Sequence, residues 1–235
     1  MTAAGRRKAG IERRATNRGV HLDIGLATEI AQREGYFWGD EVAEAYFDRA
    51  EAAFETQWAE IIGPLIDGIQ YGTVVDLASG HGRNARRLAE KARLVHCVDI
   101  NPDNIRFLTR RFSGDPRFIV HQNDGANLPF VVDGSIDLFY CFDALVHFDL
   151  EIVQSYVKEA YRVLRKRGHA FIHCSNFIAN PGGDFRSNPG WRNFMSLDIF
   201  THLSKKAGFT VVRGQKITWG GVTDLDAVFL LRKDW

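Results

Sequence analysis

Residues 74–84 read VVDLASGHGRN. Two β-branched residues lead into an acid, Asp76, and the chain then drops into small and polar residues with glycines at 80 and 82. A strand ending in an acid, a turn too tight for side chains and an immediate helix start make a ligand crevice at the carboxyl end of a parallel sheet. Nineteen residues beyond Gly80 a second apolar run, LVHCVDI, ends with Asp99 placed to accept hydrogen bonds from ribose hydroxyls. That acid suits NAD and other adenosine ligands alike. The phosphate fingerprint is missing, however: ASGHGRN has no third glycine at the GxGxxG spacing, and Ala78 stands where the first glycine belongs. Without a close approach to a pyrophosphate, the expected ligand is an adenosine that carries no phosphates.

Such residues need a frame, and the periodicity supplies one. Apolar residues recur at helical spacing from Val42 to Leu65, and then strands alternate with helices. The expected strands are 73–78, 94–100, 117–122, 135–142 and 169–175, several nearly continuous in apolar residues, which argues for a parallel sheet covered on both faces. Asn101 followed by Pro102 marks a capped helix start. After a helix ending at Gly208, FTVVRGQKITW and DAVFLLRK are joined by a link too short for a crossover, so they must be antiparallel. The expected fold is α/β: a Rossmann-like three-layer sandwich with a mostly parallel seven-stranded sheet, an antiparallel last strand and a helical N-terminal extension.

Thirty basic residues against 29 acidic ones give a net charge of +1, so no overall field points to nucleic acid or membrane. Residues 1–20 hold a basic cluster and read as a solvated, disordered leader, 21–71 as a helical lid or extension, and 72–235 as the ligand-binding domain. Cys97, Cys141 and Cys174 are odd in number and set far apart in apolar runs, which suits buried reduced thiols in a cytoplasmic protein rather than disulfides or a metal site. Neither a membrane span nor a signal peptide is expected.

The order of elements resembles the class I S-adenosylmethionine (SAM)-dependent methyltransferases over roughly residues 72–232. VVDLASGHG is similar to their acid-x-GxGxG turn with alanine for the first glycine, VDI to their strand-end acid, and NDGANLPF (123–130) to their short acidic segment. IDLFYCFDALVHF (136–148) and RVLRKRGHAFIH look like the elements that follow, and the antiparallel end is the family's topology. The resemblance implies SAM as cofactor. It places the backbone at Ala78 and Gly80 beside the methionine moiety, Asp99 on the ribose and Ile100 on the adenine, with Asp76 and Gly82 also among the cofactor-binding residues. Asp124 and the backbone at Gly125 would read the adenine edge, and the carbonyl near Cys141 would face the methionine amino group. Plainer roles stand beside these: Asp76 and Asp124 as turn caps, Gly82 as a helix-packing residue.

Methyl transfer from a sulfonium is an in-line displacement, so the enzyme's main task is orientation. An alcohol acceptor also needs a base, and His147, after the fourth strand, is the first candidate. His173 is the second, with Asp143 as an orienting partner; each could instead be a core or loop residue. The 22-residue polar connection 175–196 is longer than a structural loop requires, so Asn176, Trp191 and Arg192 are expected to shape a pocket for a sugar or another polyhydroxylated metabolite. Tyr36, Tyr46 and Trp58 are expected as lid aromatics over the cofactor, with core packing as their plainer role. The favoured function is methyl transfer to a small-molecule hydroxyl, with no nucleic-acid or membrane partner and the oligomeric state open. Nitrogen methylation, a protein or RNA methyltransferase, and a nicotinamide-dependent oxidoreductase are the alternatives.

Overall fold

Each β-rich run becomes one strand of a single sheet. In the computed structural model, which describes residues 24–35 and 41–235, the strands are β1 (Thr73–Leu77), β2 (Leu94–Asp99), β3 (Phe118–Gln122), β4 (Ile136–Cys141), β5 (Leu164–Ser175), β6 (Thr210–Trp219) and β7 (Val222–Arg232). Their order is β3-β2-β1-β4-β5-β7-β6. β1 to β5 run parallel, and β7 lies antiparallel between β5 and β6. The chain winds outward from β1 to β3, returns to β4 on the other side of β1, and so leaves a switch point between β1 and β4 where ligands bind in open α/β sheets.

The near-continuous apolar strands are explained by two buried faces. Along β4, Leu138 and Tyr140 face one core, and Phe139 and Cys141 the other. Successive strand residues point to opposite faces, so both faces demand apolar side chains. One core packs under α6 (Leu150–Val163) and α7 (Leu197–Ala207). The other packs under α4 (Arg83–Leu88), α5 (Pro102–Arg111) and the helical segment 54–66. All three cysteines are buried and free.

The N-terminal helices are α1 (Ile24–Gly35) and α2 (Glu41–Gln57), the latter running through a π-helical turn, Trp58–Ile62, into α3 (Gly63–Ile66). Phe54, Trp58, Ile62, Leu65 and Ile66 share a core with Val74 of β1 and Leu138 of β4. Residues 54–66 thus pack into the same core as the sheet that follows them. The expected leader at 1–20 lies outside the described residues.

Local chemistry sets the ends of elements. Asn101 caps α5 by accepting the Asp103 N–H at 2.8 Å, with Pro102 at the first helical position. Gly220 and Gly221, at φ 55° and 81°, make the two-residue turn between β6 and β7, so β7 begins four residues earlier than the sequence suggests. No helix among the described residues is long and apolar enough to cross a membrane.

Candidate active site

A cleft enclosing about 1040 Å³, its open mouth included, lies at the carboxyl ends of β1, β2 and β4. Its floor is the turn after β1. Ala78 and Gly80 both sit at φ 54°, a left-handed conformation that costs a residue with a Cβ about 1–2 kcal/mol. Ser79 holds the turn: its hydroxyl donates to the Asp76 carbonyl at 2.7 Å and accepts the Val98 N–H at 3.1 Å. A Cβ at Gly80 would come within 2.6 Å of the Phe47 ring, so only glycine lets α2 close on this floor. At Gly125 a Cβ would strike Ala31 and Ile100 at 2.5 and 2.6 Å. Backbone thus forms the cleft wall at both glycines.

Asp99 lines the cleft and is nearly fully buried. It accepts from the Gly80 N–H (2.9 Å), the Asn101 N–H (2.9 Å) and Asn104 Nδ2 (3.2 Å). Burial raises its pKa against the pull of those bonds. Asp99 thus fixes the turn from the edge of the cleft.

Deeper, some atoms of charged side chains lie without hydrogen bonds. Both carboxylate oxygens of Asp76 and Nη1 of Arg83 are buried with no hydrogen bond, although leaving such a group unsatisfied costs about 1–3 kcal/mol or more. Burial lifts the Asp76 carboxyl to about 7, opposed by Ser79 and Arg83. Arg83 lines the cleft, and its Nη2 reaches Asp143 at 3.3 Å. A ligand with a carboxylate at one end and a ribose at the other meets Arg83, whose Nη1 is unpaired, and Asp99 in the cleft lining, with the unpaired carboxylate of Asp76 buried behind them, and the residues therefore fit SAM.

On the β4 side, Asp143 at φ 58° points its carboxylate into the cleft. It accepts the Tyr46 hydroxyl at 2.6 Å as well as Arg83. Burial, reinforced by the Asp143 charge, holds the Tyr46 phenol far above its ordinary pKa, so it serves as a donor. His147 also lines the cleft, and its Nδ1 lies 2.6 Å from the Trp191 carbonyl. A carbonyl can only accept, so the proton is on Nδ1 and Nε2 is the basic nitrogen. Burial first, and the Arg192 charge second, push the His147 pKa down to about 4, which keeps the ring neutral. Phe142, Phe148, Ile152 and Tyr156 complete this side.

The sequence-expected residues divide. Ala78, Gly80, Asp99, Ile100, Gly125, Asp143 and His147 line the cleft, as does the expected lid residue Tyr46. Asp124 does not: its carboxylate is occupied by the Ala126 and Asn127 N–H groups and the Asn127 side chain. Gly82 faces α5, where a Cβ would meet Phe112 and Leu108. Cys141 is wholly buried in the core, and Trp58 packs beneath the sheet with Arg87 over its ring, away from the cleft.

His173 is wholly buried between Asp226 and the Asp143 backbone rather than in the cleft. Asn176 braces the Asp224 carbonyl and the start of α7, and Arg192 is buried against Asp226. Trp191 meets the site through its carbonyl, and Tyr36 lies outside the described residues. The connection 175–196 is therefore an internally bonded support and not a pocket wall.

Sequence reading missed Arg83, Asn84, Asn104, Phe47 and His81, all in the lining. Phe47 stacks on His81 at 3.7 Å, and His81 on Phe107 at 3.8 Å. Arg111 ties α2 to the turn after β1 by donating to Glu51 and to the His81 carbonyl. Asn84 and Arg83 directly follow the glycine turn, the one signal that could have marked them.

Comparison with known proteins agrees with this geometry. Residues 74–168 match the model of a methyltransferase domain. Over 129 residues the chain is 26% identical to the phosphoethanolamine N-methyltransferase of Plasmodium falciparum, which covers 54% of this chain and 48% of that protein, so the match spans about half of the relative. An S-adenosylmethionine dependent methyltransferase from Mesorhizobium loti superposes with a TM-score of 0.61 at 15% identity over 75% of this chain and 97% of that one. The cyclase SpnF superposes with 0.60 at 14% identity over 75% and 80%. At such identities the structures share the fold alone. The match to a methyltransferase domain thus spans β1 to the start of β5, and the sheet topology is the fold that these structures share.

Proposed function

We propose that the protein methylates a hydroxyl group of a small molecule held on the β4 side of the cleft. The observation that carries this reading is the neutral imidazole of His147 in the cleft lining, its Nδ1–H donated to the Trp191 carbonyl. Bound SAM supplies a methyl group already activated on a sulfonium. What the chain must add is alignment and a proton acceptor. Asp99 and the glycine turn would hold the nucleoside, and Arg83 with Asp76 the amino-acid end. The acidic groups Asp99 and Asp143 favour a ligand of net positive charge. Phe142, Phe148 and Tyr156 would bound the acceptor and exclude water. His147 Nε2 would take the hydroxyl proton, the Asp143 charge partly offsetting the burial and the Arg192 charge that oppose the imidazolium. The connection 175–196 lies outside the cleft lining, so the acceptor is assigned by its functional group and not as a sugar.

An amine acceptor is the second reading. It is favoured by the Asp143 carboxylate in the cleft and by the likeness to an enzyme named for N-methylation. A neutral amine attacks before it loses its proton and has no strict need of a base. Incubating a metabolite extract with SAM labelled in its methyl group, then locating the label by mass spectrometry, decides between them. Label on oxygen with a large loss in His147→Ala supports the first reading; label on nitrogen with a small loss overturns it.

A further inference from the structure

Asp143 and His147 are held in place from outside the cleft. Asp226 of β7 is wholly buried and touches none of the cleft-lining residues through a hydrogen bond. Its carboxylate accepts a fork from Arg192, Nε at 2.8 Å and Nη2 at 2.5 Å, and a third bond from His173 Nε2 at 3.0 Å. Burial alone would raise the Asp226 pKa, but Arg192 and His173 outweigh it and hold the group ionised. Two arms leave this carboxylate. Along the first, His173 Nδ1 accepts the backbone N–H of Asp143 at 3.2 Å. Since that N–H can only donate, the His173 proton sits on Nε2, facing Asp226. Along the second, Arg192 Nη1 donates to the Gly190 carbonyl at 2.6 Å and the Arg192 carbonyl accepts from Asn188 at 2.6 Å. These bonds close the turn whose Trp191 carbonyl accepts the His147 proton.

Both arms end on strained backbone. Asp143 at φ 58° and Trp191 at φ 57° are side-chain-bearing residues in the left-handed region. Such residues persist only where their surroundings over-determine them. Trp219 covers the junction, its ring 4.8 Å from that of His173 and 5.7 Å from the Arg192 guanidinium. A buried ion pair contributes little net stability compared with apolar packing of the same volume, so its use here is better explained by orientation.

We propose that Asp226 is the positioning residue of the acceptor end, fixing Asp143 through His173 and the tautomer of His147 through Arg192 and Trp191. This rests on reading the cleft as the methyl-transfer site. The geometry requires the two histidines to carry opposite tautomers, Nδ1–H on His147 and Nε2–H on His173.

The test is imidazole and amide nitrogen NMR of the ¹⁵N-labelled full chain without ligand, with S-adenosylhomocysteine calorimetry alongside. The native protein should show the two opposite tautomers. Asp226→Asn should move the Asp143 amide signal and leave His147 averaging between tautomers. His173→Gln, which keeps a donor toward Asp226 but no acceptor for Asp143, should move the Asp143 amide only. In His173→Asn the amide oxygen takes the place of Nδ1, and the Asp143 signal should return close to native. Native signals at both Asp143 and His147 in a folded Asp226→Asn protein would overturn the proposal. Should that variant not fold, Arg192→Lys keeps the charge but loses the fork; unchanged His147 in it is equally fatal. Calorimetry separates the underlying reading: no S-adenosylhomocysteine binding by the native chain, with the tautomers as expected, refutes methyl transfer while leaving the positioning geometry standing.

Discussion

Asp76 should trade stability for ligand binding, and the exchange has a definite pH signature. Its side chain is buried with no hydrogen bond and its carboxyl is raised to about 7, against an ordinary value of about 3.9 in the unfolded chain. The folded state therefore prefers the protonated form. The sign follows: full stability is present below about pH 3.9 and is lost as pH rises through about 7. At roughly 1.36 kcal/mol per pKa unit the interval corresponds to about 4 kcal/mol at most. Asp76→Asn, which cannot ionise, should be increasingly stabilised relative to the native protein between about pH 4 and pH 7, with a plateau above. A buried amide carries its own desolvation cost, but that cost does not vary with pH, so the slope is the signature. Urea unfolding of both proteins at several pH values measures it. In the native protein a cationic ligand end should pull the Asp76 pKa down and release up to about half a proton per SAM at pH 7, seen by calorimetry in buffers of different ionisation enthalpy. A pH-independent stability difference together with no proton release would refute a half-protonated, unpartnered Asp76.

The remaining expectations concern single side chains. Asp99→Ala strands three buried donors, each worth about 1–3 kcal/mol when left unpaired; urea unfolding should show a loss of several kcal/mol, and calorimetry weaker S-adenosylhomocysteine binding. For a hydroxyl acceptor, His147→Ala should lower turnover by about 10² with S-adenosylhomocysteine affinity nearly unchanged. Because the His147 pKa is pushed down to about 4, native turnover should show no histidine inflection between pH 5 and 8, the base form being lost only as pH falls toward 4; an inflection near pH 6.5 would contradict the buried, neutral ring. Phe47 lies against Gly80 and stacks on His81, so Phe47→Ala should speed S-adenosylhomocysteine release about tenfold in stopped-flow measurements while shifting the melting temperature by only a few degrees.

What could be read from the chain depended on whether a residue's task is set by its neighbours in sequence. The strands were legible because burial on both faces forces runs such as IDLFYC, and the floor of the cleft because Gly80 needs a left-handed backbone beside Phe47. Asp99 was legible as an acid at a strand end. Ala78 shows the limit: nothing in its type betrays φ 54°. Asp124 resembled an adenine reader, yet a short acid in a turn can satisfy its own backbone amides, and it does. The connection 175–196 was long and polar for the same internal reason: Asn180, Asp184, Asn188 and Arg192 spend their polar atoms on each other's turns and on Asp226. The opposite error hid Arg83, which reads as an exposed helix-start cation but is buried because Asp143 comes to it from 60 residues away. His147 and His173 look alike in sequence, each following a buried strand run. What separates them is the partner each meets: a carbonyl at Trp191 for one, and a carboxylate at Asp226 with an amide at Asp143 for the other. A polar residue's chemistry is decided by which of its atoms remain unspent, and here the groups that spend them arrive from distant strands and loops. Local pattern could therefore mark the turns and strand ends of this cleft, while the division between supporting and reacting groups was made only by the fold.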